Sequence, residues 1–304
     1  MTEQSYYIEE LEILTKEKVE ALAEDDIFTC SQLLLAPLSI LKKHFSEEEL
    51  EEVLIRIQEK TKGIFRGASE KVCNPIFVIS TSSKTLNAKL EGGIKSGGLT
   101  QIFSEQRFPR TQLCYSIMLN FLHAFSDSEI LYNDPNGMFR PEKLMELAQY
   151  NCIDPKIIMD RISVFRPYTI LQQFEIFEII ADKLETVCHK LIIVDGLGDF
   201  LKLNPTRNIN IFYKKIKALE GFLLRLNYVA ANDNIPVILL NNALVKFEDD
   251  LIVPEAGGAI SFAFDTQMLL RKREDFAWQA KIIDGDNITD AVFSITEYGV
   301  GDVI

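Results

Sequence analysis

The hydrophobic residues of the first 62 positions recur at helical spacing. Leu50, Val53, Leu54 and Ile57 occupy positions i, i+3, i+4 and i+7, and no run typical of a strand occurs in this stretch. A further apolar group lies upstream and comprises Leu33, Leu34, Leu35, Leu38 and Leu41. Ser46 and the three glutamates after it predict a helix start, because a hydroxyl can cap the free amides there. Residues 1–62 therefore predict a small all-helical domain.

After a polar stretch at 63–75, which predicts a linker, short β-rich runs alternate with long amphipathic stretches. The runs predict strands at 76–80, 98–104, 129–134, 162–167, 190–196 and 235–241. The amphipathic stretches predict helices at Thr111–Phe125, Glu142–Asn151, Thr169–Cys188 and Asn210–Asn232. Residues 76–304 thus predict an α/β core with a mostly parallel sheet flanked by helices. Three apolar runs after residue 265 predict antiparallel strands at the C-terminal edge of that sheet.

Composition and charge narrow the kinds of partner that the protein can have. The chain has 304 residues, of which 47% are hydrophobic, enough for one large domain and a small appendage. Its formal net charge is −13, and residues 1–66 alone hold 8 Lys and Arg against 15 Asp and Glu. Proteins that grip nucleic acid by themselves normally carry a cationic surplus, because their affinity comes largely from neutralising phosphates. The charge balance therefore disfavours autonomous DNA binding.

The sequence predicts neither a metal site nor a membrane segment. Its five cysteines are scattered without C-x-x-C spacing and its three histidines are isolated, so we expect reduced thiols in a cytoplasmic protein. No apolar run reaches the roughly 18 residues that suggest a membrane span. The acidic N-terminus also lacks the cationic and apolar pattern of a secretory signal.

The stretch after the strand at 98–104 occupies the place of a phosphate-binding loop but lacks its typical residues. A G-x-x-x-x-G-K-[ST] loop binds phosphates through backbone amides and its lysine, and its hydroxyl holds magnesium. Here Ser104 is followed by Glu-Gln-Arg-Phe-Pro-Arg-Thr, with no glycine. Pro109 removes one amide donor, and Arg110 offers a planar fork instead of a compact ammonium. Thr111 is the one residue of the pattern that remains.

An apolar strand that ends in a carboxylate provides a second element typical of nucleotide sites. Residues 191–195 read Leu-Ile-Ile-Val-Asp, and Asp195 would hold magnesium in such a site. Many buried strands also end in aspartate, so a purely structural role for Asp195 stays open at this point.

Several short motifs occur in a fixed order along almost the whole chain. They are Ile-Ser-Thr-Ser-Ser-Lys-Thr-Leu-Asn at 79–87, Gly-Gly-Ile-Lys-Ser-Gly at 92–97, Thr-Gln-Leu-Cys at 111–114, Gly-Met-Phe-Arg-Pro-Glu at 137–142 and Gly-Gly at 257–258. In this order they resemble the archaeal RadA and eukaryotic strand-exchange recombinases, and most closely an archaeal RadA paralogue. The resemblance implies a RecA-like ATPase core and a helix-hairpin-helix N-terminal domain.

Departures from the family pattern fall on residues to which the resemblance gives a function. The glutamate that polarises the attacking water is Asn136 here, and an amide cannot act as a base. The Asn-Gln pair that senses nucleotide and leads into a DNA-contacting loop is Asn241-Asn242. Residues 248–250 of that loop are all acidic and would repel phosphate. The hairpin positions of the N-terminal domain likewise lack the glycines that offer amides to DNA.

Phe65 and Ala68 lie in the linker at the place where the family carries an F-x-x-A segment. In the family this segment inserts into a pocket on the neighbouring ATPase core during polymerisation. A buried aromatic anchor supplies much of the energy of an interface. The resemblance therefore implies a protein-docking element, and the alternative is that Phe65 folds back on its own domain.

These observations predict a non-catalytic recombinase paralogue, a pseudo-ATPase for which neither ATP nor magnesium is expected as a cofactor. It would dock on a RadA-type recombinase or a sibling paralogue as an accessory protein of recombination and repair, with DNA bound only weakly or indirectly. The degenerate nucleotide site comprises Ser104, Pro109, Arg110, Thr111, Asn136, Asp195 and Asn242. The alternatives are a divergent ATPase that uses Arg110, Thr111 and Asp195, and a DNA-binding module.

Overall fold

The chain forms two compact units, Met1–Pro75 and Ile76–Ile304. The computed structural model describes residues 8, 14–25, 27, 33, 36, 38–60, 76–105, 107–168, 172, 176, 189–199, 209–246, 251–255, 257–274 and 276–303. The predicted linker at 63–75, with Phe65 and Ala68, lies outside these residues. No helix of the described part is long and apolar enough to cross a membrane.

The first unit is built from short helices around a small apolar core. The helices are α1 (Lys16–Glu24), α2 (Leu38–His44) and α3 (Glu47–Lys60). The core comprises Ile8, Leu22, Ile27, Leu33, Leu41, Phe45, Leu50 and Val53. The predicted start of α3 is confirmed, because the Glu49 amide donates to Ser46 Oγ at 3.2 Å and the Ser46 amide donates to Glu49 Oε2 at 3.0 Å. This reciprocal pair satisfies two amides that a helix end would otherwise leave free.

The second unit contains the predicted alternation of strands and helices. Its strands are β1 (Val78–Ile79), β2 (Ile94–Lys95), β3 (Leu99–Ser104), β4 (Ser128–Asn133), β5 (Ile162–Phe165), β6 (His189–Asp195), β7 (Val237–Lys246), β8 (Leu251–Pro254), β9 (Thr266–Glu274), β10 (Ala277–Asp284), β11 (Asn287–Thr296) and β12 (Gly299–Gly301). The helices whose bounds the structure describes are α4 (Lys84–Lys89), α5 (Arg107–Ala124), α6 (Pro141–Tyr150), α7 (Pro155–Met159), α8 (Ile209–Asp233) and α9 (Gly257–Ile260), with a 3-10 turn at Ser261–Ala263. Of the helix predicted at Thr169–Cys188, most lies outside the described residues.

One large sheet organises the unit, as predicted for an α/β fold. In the described chain its strands run in the order β12-β11-β10-β9-β3-β7-β6-β4-β5, and β3, β7, β6, β4 and β5 are parallel to one another. One apolar core lies where α5 packs on the sheet, with Ile117 and Phe121 fully buried. A second core includes Phe222 and Leu226 of α8. The mostly parallel sheet flanked by helices is therefore confirmed.

The C-terminal strands differ from the prediction in one pairing. β10, β11 and β12 are antiparallel to their neighbours, but β9 pairs with β3 in parallel, with Phe103 opposite Leu269. The prediction of antiparallel strands is therefore confirmed for the pairing of β9 with β10 and wrong for its pairing with β3. A long connection permits a parallel crossover where a tight turn enforces antiparallel pairing, and apolar runs alone do not distinguish the two.

The helix predicted at Thr111–Phe125 begins earlier, at Arg107. Since β3 ends at Ser104, most of the stretch predicted as a loop forms the first turn of α5. Pro109 fits there, because the first amides of a helix have no intrahelical acceptor and its fixed φ suits the helix. The stretch holds no glycine to favour the positive φ of an open loop.

β7 also extends beyond its predicted end at residue 241 and reaches Lys246. Its last residues pair in antiparallel fashion with β8, with Ala243 opposite Pro254 and Leu244 opposite Val253. The acidic residues 248–250 lie outside the described part of the chain.

Candidate functional site

A polar cluster lies at the carboxyl ends of the central parallel strands. β3 ends at Ser104, whose partner in the register with β7 is Asn242, and β6 ends at Asp195 opposite Leu240 of β7. The first turn of α5 adds Arg107 and Arg110 at the same edge. In open α/β sheets, ligand sites lie outside the carboxyl ends of the strands. The fold therefore places four of the predicted site residues, Ser104, Arg110, Asp195 and Asn242, where a ligand site is expected.

Asp195 is paired with a cation from its own chain. Its side chain is only 1% exposed, and Arg107 Nη2 donates to Asp195 Oδ2 at 2.7 Å. Tyr132 donates its hydroxyl to the same oxygen at 2.8 Å. Burial, and then the charge of Asp195, raise the pKa of Tyr132 well above its ordinary value, so the hydroxyl keeps its proton at neutral pH. One oxygen of the carboxylate therefore accepts two strong hydrogen bonds.

Arg110 is buried and joins the ends of two strands. Its side chain is 2% exposed, and Nη1 donates to the carbonyl oxygen of Ser104 at 3.0 Å. Nη2 donates to Asn242 Oδ1 at 2.6 Å. Burial lowers the pKa of Arg110, and the nearby charge of Asp195 opposes that effect. The planar guanidinium suits this role because its two terminal nitrogens can serve separate acceptors.

The asparagine pair of β7 connects this cluster to the segment after β8. Asn242 Nδ2 donates to Glu255 Oε2 at 3.1 Å, and Asn241 Nδ2 donates to the carbonyl oxygen of Glu255 at 2.8 Å. The amide of Gly198 donates to Asn241 Oδ1 at 3.2 Å. A Cβ at Gly198 would lie 2.6 Å from Glu255 Oε2, so a larger residue there would displace the Glu255 side chain. The two asparagines thus have structural partners within the chain.

Asn136 lies in an exposed turn after β4 and contacts Asp199. Its Nδ2 donates to Asp199 Oδ2. Gly196 has φ +100°, and a Cβ there would lie 2.4 Å from Asn136 Nδ2. The neutral amide supplies no base for activating water. In this arrangement Asn136 acts as a hydrogen-bond donor to the Asp199 carboxylate.

Two atoms of the cluster could in principle serve a divalent cation. Thr111 Oγ1 and Asp195 Oδ1 are buried and have no hydrogen-bond partner within the described structure. Oxygen ligands of this kind are the ones that magnesium prefers. Against this, the other oxygen of Asp195 already carries the Arg107 guanidinium, and Pro109 offers no amide to a phosphate. In the described residues, no group of three or more His, Cys, Asp and Glu side chains could hold a metal ion. In this arrangement the residues do not fit a magnesium-bound triphosphate.

The structure brings together some of the predicted site residues and adds others. Hydrogen bonds join Ser104, Arg110 and Asn242, while Pro109 and Thr111 belong to the start of α5 and Asn136 contacts Asp199. The sequence interpretation assigned no role to Arg107, Tyr132, Asp199 and Glu255. The sequence held a signal for Arg107. Arg107 and Arg110 are three residues apart, so a helix that begins at Arg107 places both on one face.

Comparison with known proteins gives a consistent result over the second unit. A family model described as Rad51 matches residues 73–303. The chain is 27% identical over 299 residues to the meiotic recombination protein DMC1 homolog A of Oryza sativa subsp. indica. This alignment covers 93% of this chain and 87% of that protein. It is 29% identical over 241 residues to the meiotic recombination protein DMC1/LIM15 homolog of Mus musculus, with 75% of this chain and 71% of that protein covered. The family match spans the unit that carries the polar cluster.

Proposed function

The chain belongs to the Rad51 family, and from this membership we propose that it is a non-catalytic recombinase paralogue of the archaeal RadA type. The family implies a role in homologous recombination and repair. Within that role the protein acts as an accessory factor in the cytoplasm, docking on an active recombinase or on a sibling paralogue. It neither hydrolyses ATP nor requires ATP or magnesium as a cofactor.

One observation carries the proposal: cationic side chains of the chain itself occupy the carboxyl edge of the sheet. Arg107 is bonded to Asp195 at 2.7 Å, and the buried Arg110 spans Ser104 and Asn242. A magnesium ion at Asp195 would have to share a carboxylate that is 1% exposed and already accepts a charge-assisted hydrogen bond from Arg107. The neutral amide of Asn136 supports the same conclusion, because it cannot accept a proton from an attacking water.

Docking through Phe65 and Ala68 is the proposed mode of action, and it stays a prediction because both residues lie outside the described structure. The net charge of −13 supports a protein partner over direct DNA contact. The test is a pull-down of the host recombinase without nucleotide, using wild type, Phe65→Ala and Arg66→Ala. Arg66→Ala is the matched control, because it lies between the two anchor positions and leaves both intact.

Capture by wild type and Arg66→Ala but not by Phe65→Ala is the expected result. Equal capture by all three proteins would exclude this docking mode. If none of them captures the recombinase, an accessory role on that partner is excluded, and a sibling paralogue becomes the next candidate to test.

A divergent ATPase is the second candidate, favoured by the buried Thr111 Oγ1 and Asp195 Oδ1 without partners. ATP turnover above background, abolished in both Thr111→Ala and Asp195→Asn, would establish it. Turnover that survives in both variants would come from another source, such as a contaminating ATPase.

A further inference from the structure

Asn242 is the residue at which β7 leaves the large sheet. The preceding part of β7 pairs with β3, ending at the register pair Ser104 and Asn242. From Ala243 onward β7 pairs with β8, and in the described structure β8 has β7 as its neighbour. Residues 243–246 and 251–254 thus form a two-stranded ribbon, here named the β7–β8 hairpin. Isolated two-stranded hairpins are marginally stable, so the contacts at its base matter for its position.

Two side chains bind the two polar atoms of the Asn242 amide group. Arg110 Nη2 donates to Asn242 Oδ1 at 2.6 Å, while Asn242 Nδ2 donates to Glu255 Oε2 at 3.1 Å. The backbone closes the same junction, because the Glu255 amide donates to the carbonyl oxygen of Asn242 at 2.8 Å. Asn242 therefore connects α5 to the residue that follows β8. A change at Arg110 would reach the hairpin through this one amide side chain.

Arg110 is suited to act as a permanent ligand at this junction. It is covalently part of α5 and 2% exposed, and its second nitrogen is fixed on the carbonyl oxygen of Ser104 at 3.0 Å. Charge-assisted hydrogen bonds are roughly twice as strong as neutral ones. A cation of the chain itself neither dissociates nor is hydrolysed, unlike a small molecule.

We propose that Arg110 is a built-in positioning residue that fixes the β7–β8 hairpin through Asn242, so that the hairpin keeps one orientation without any nucleotide. This role of Arg110 does not depend on which protein the chain docks on. Arg110 takes the place of a bound ligand at the edge of the sheet, and Arg107 has a different task. Arg107 neutralises Asp195 and has no hydrogen bond to Asn242 within the described structure.

The test is amide hydrogen exchange on the full chain, comparing wild type with Arg110→Met, Asn242→Ala and Arg107→Ala. We expect Arg110→Met and Asn242→Ala to accelerate exchange in the hairpin by about 10-fold or more, because local opening is limited by the contacts that each removes. Exchange in β10 and β11, which have no hydrogen bond to Arg110 or Asn242 within the described structure, serves as the internal reference for global stability. Arg107→Ala is the matched arginine control and should leave hairpin exchange within about 2-fold of wild type relative to that reference.

Hairpin exchange at the wild-type rate in both Arg110→Met and Asn242→Ala would overturn the proposal. If Arg110→Met does not fold, hairpin exchange in Asn242→Ala decides the test, because that variant keeps the buried guanidinium of Arg110. A second measurement adds millimolar ATP and magnesium to wild type. Unchanged hairpin exchange is expected, and increased protection of the hairpin would show that a nucleotide sets its position instead.

Discussion

Two polar clusters of the second unit hold opposite charges in different ways. At the start of α4, Asp302 Oδ1 accepts hydrogen bonds from Ser83 Oγ at 2.7 Å and from the Thr85 amide at 3.0 Å, so neutral donors hold an anion. At the start of α5, the Arg110 cation is held by neutral acceptors, and Arg107 pairs with Asp195. Ser83 and Thr85 of the first cluster lie in the motif at 79–87, and the second cluster lies where the sequence predicts a degenerate phosphate-binding loop.

Charge at the start of a helix is thus held either by neutral donors or by neutral acceptors in this unit. Around α4 the donors are hydroxyls and amides, and the carboxylate is near the surface. Around α5 the donors are guanidinium groups, one of them buried. Because buried charges and their partners are costly to separate, the α5 cluster should be the more sensitive to substitution.

Arg110→Met should have the largest effect and would break the α5 cluster. It leaves the carbonyl oxygen of Ser104 and Asn242 Oδ1 without their charged donor, which we expect to lower the free energy of unfolding by about 3 kcal/mol. Urea denaturation at neutral pH measures this loss. The companion variant Arg110→Lys keeps the charge but not the fork and should recover part of the stability. A loss below about 0.5 kcal/mol in Arg110→Met would contradict the role assigned to the guanidinium.

Arg107→Ala should follow, because among the described residues it leaves the buried Asp195 carboxylate with the Tyr132 hydroxyl as its one donor. Since Arg107 is itself 30% exposed, solvent screens the pair, and we expect a loss of about 2 kcal/mol. A double-mutant cycle with Asp195→Asn separates the pair from other effects. If Arg107→Ala costs as much in the Asp195→Asn background as in wild type, the two side chains are not coupled.

Asp302→Asn tests the other side of the comparison and should have a smaller effect. The hydrogen bond from the Thr85 amide, followed by that from Ser83, lowers the pKa of Asp302 below its ordinary value of 3.8. Its stabilising contribution is therefore fully present well above 3.8 and is lost as the pH falls through the lowered folded value. Thermal unfolding of both proteins from neutral to acid pH should show the variant less stable at neutral pH, with the difference shrinking in acid. A difference that grows toward acid pH would have the wrong sign.

Asn136→Glu should have the smallest effect. The side chain is exposed, but a glutamate would face the Asp199 carboxylate to which Asn136 donates, so we expect the free energy of unfolding to fall by less than about 1 kcal/mol. The variant restores a carboxylate at this position but leaves the α5 cluster intact, so we expect no ATP turnover in a phosphate-release assay. Turnover in Asn136→Glu alone would mean that a single residue separates this chain from an active ATPase.

The sequence predicted the α/β architecture because apolar strand runs and helical periodicity are local signals that burial in a sheet preserves. It also located Ser104, Asp195 and Asn242, since the carboxyl ends of parallel strands meet at one edge. It missed the task of Arg107 because the stretch after β3 was interpreted as a loop. In the structure α5 begins at Arg107, and Pro109 fits its first turn. Glu255 had no local signal, because its contact with Asn242 follows only from the pairing of β7 with β8.

The most direct test of the central claim is calorimetric titration of the wild-type chain with ATP and magnesium. If the guanidinium groups of Arg107 and Arg110 complete the site, no saturable binding should occur below about 100 μM, which corresponds to roughly −5.5 kcal/mol. Saturable binding tighter than that, weakened by Asp195→Asn, would show that the nucleotide displaces Arg107 and would contradict the account.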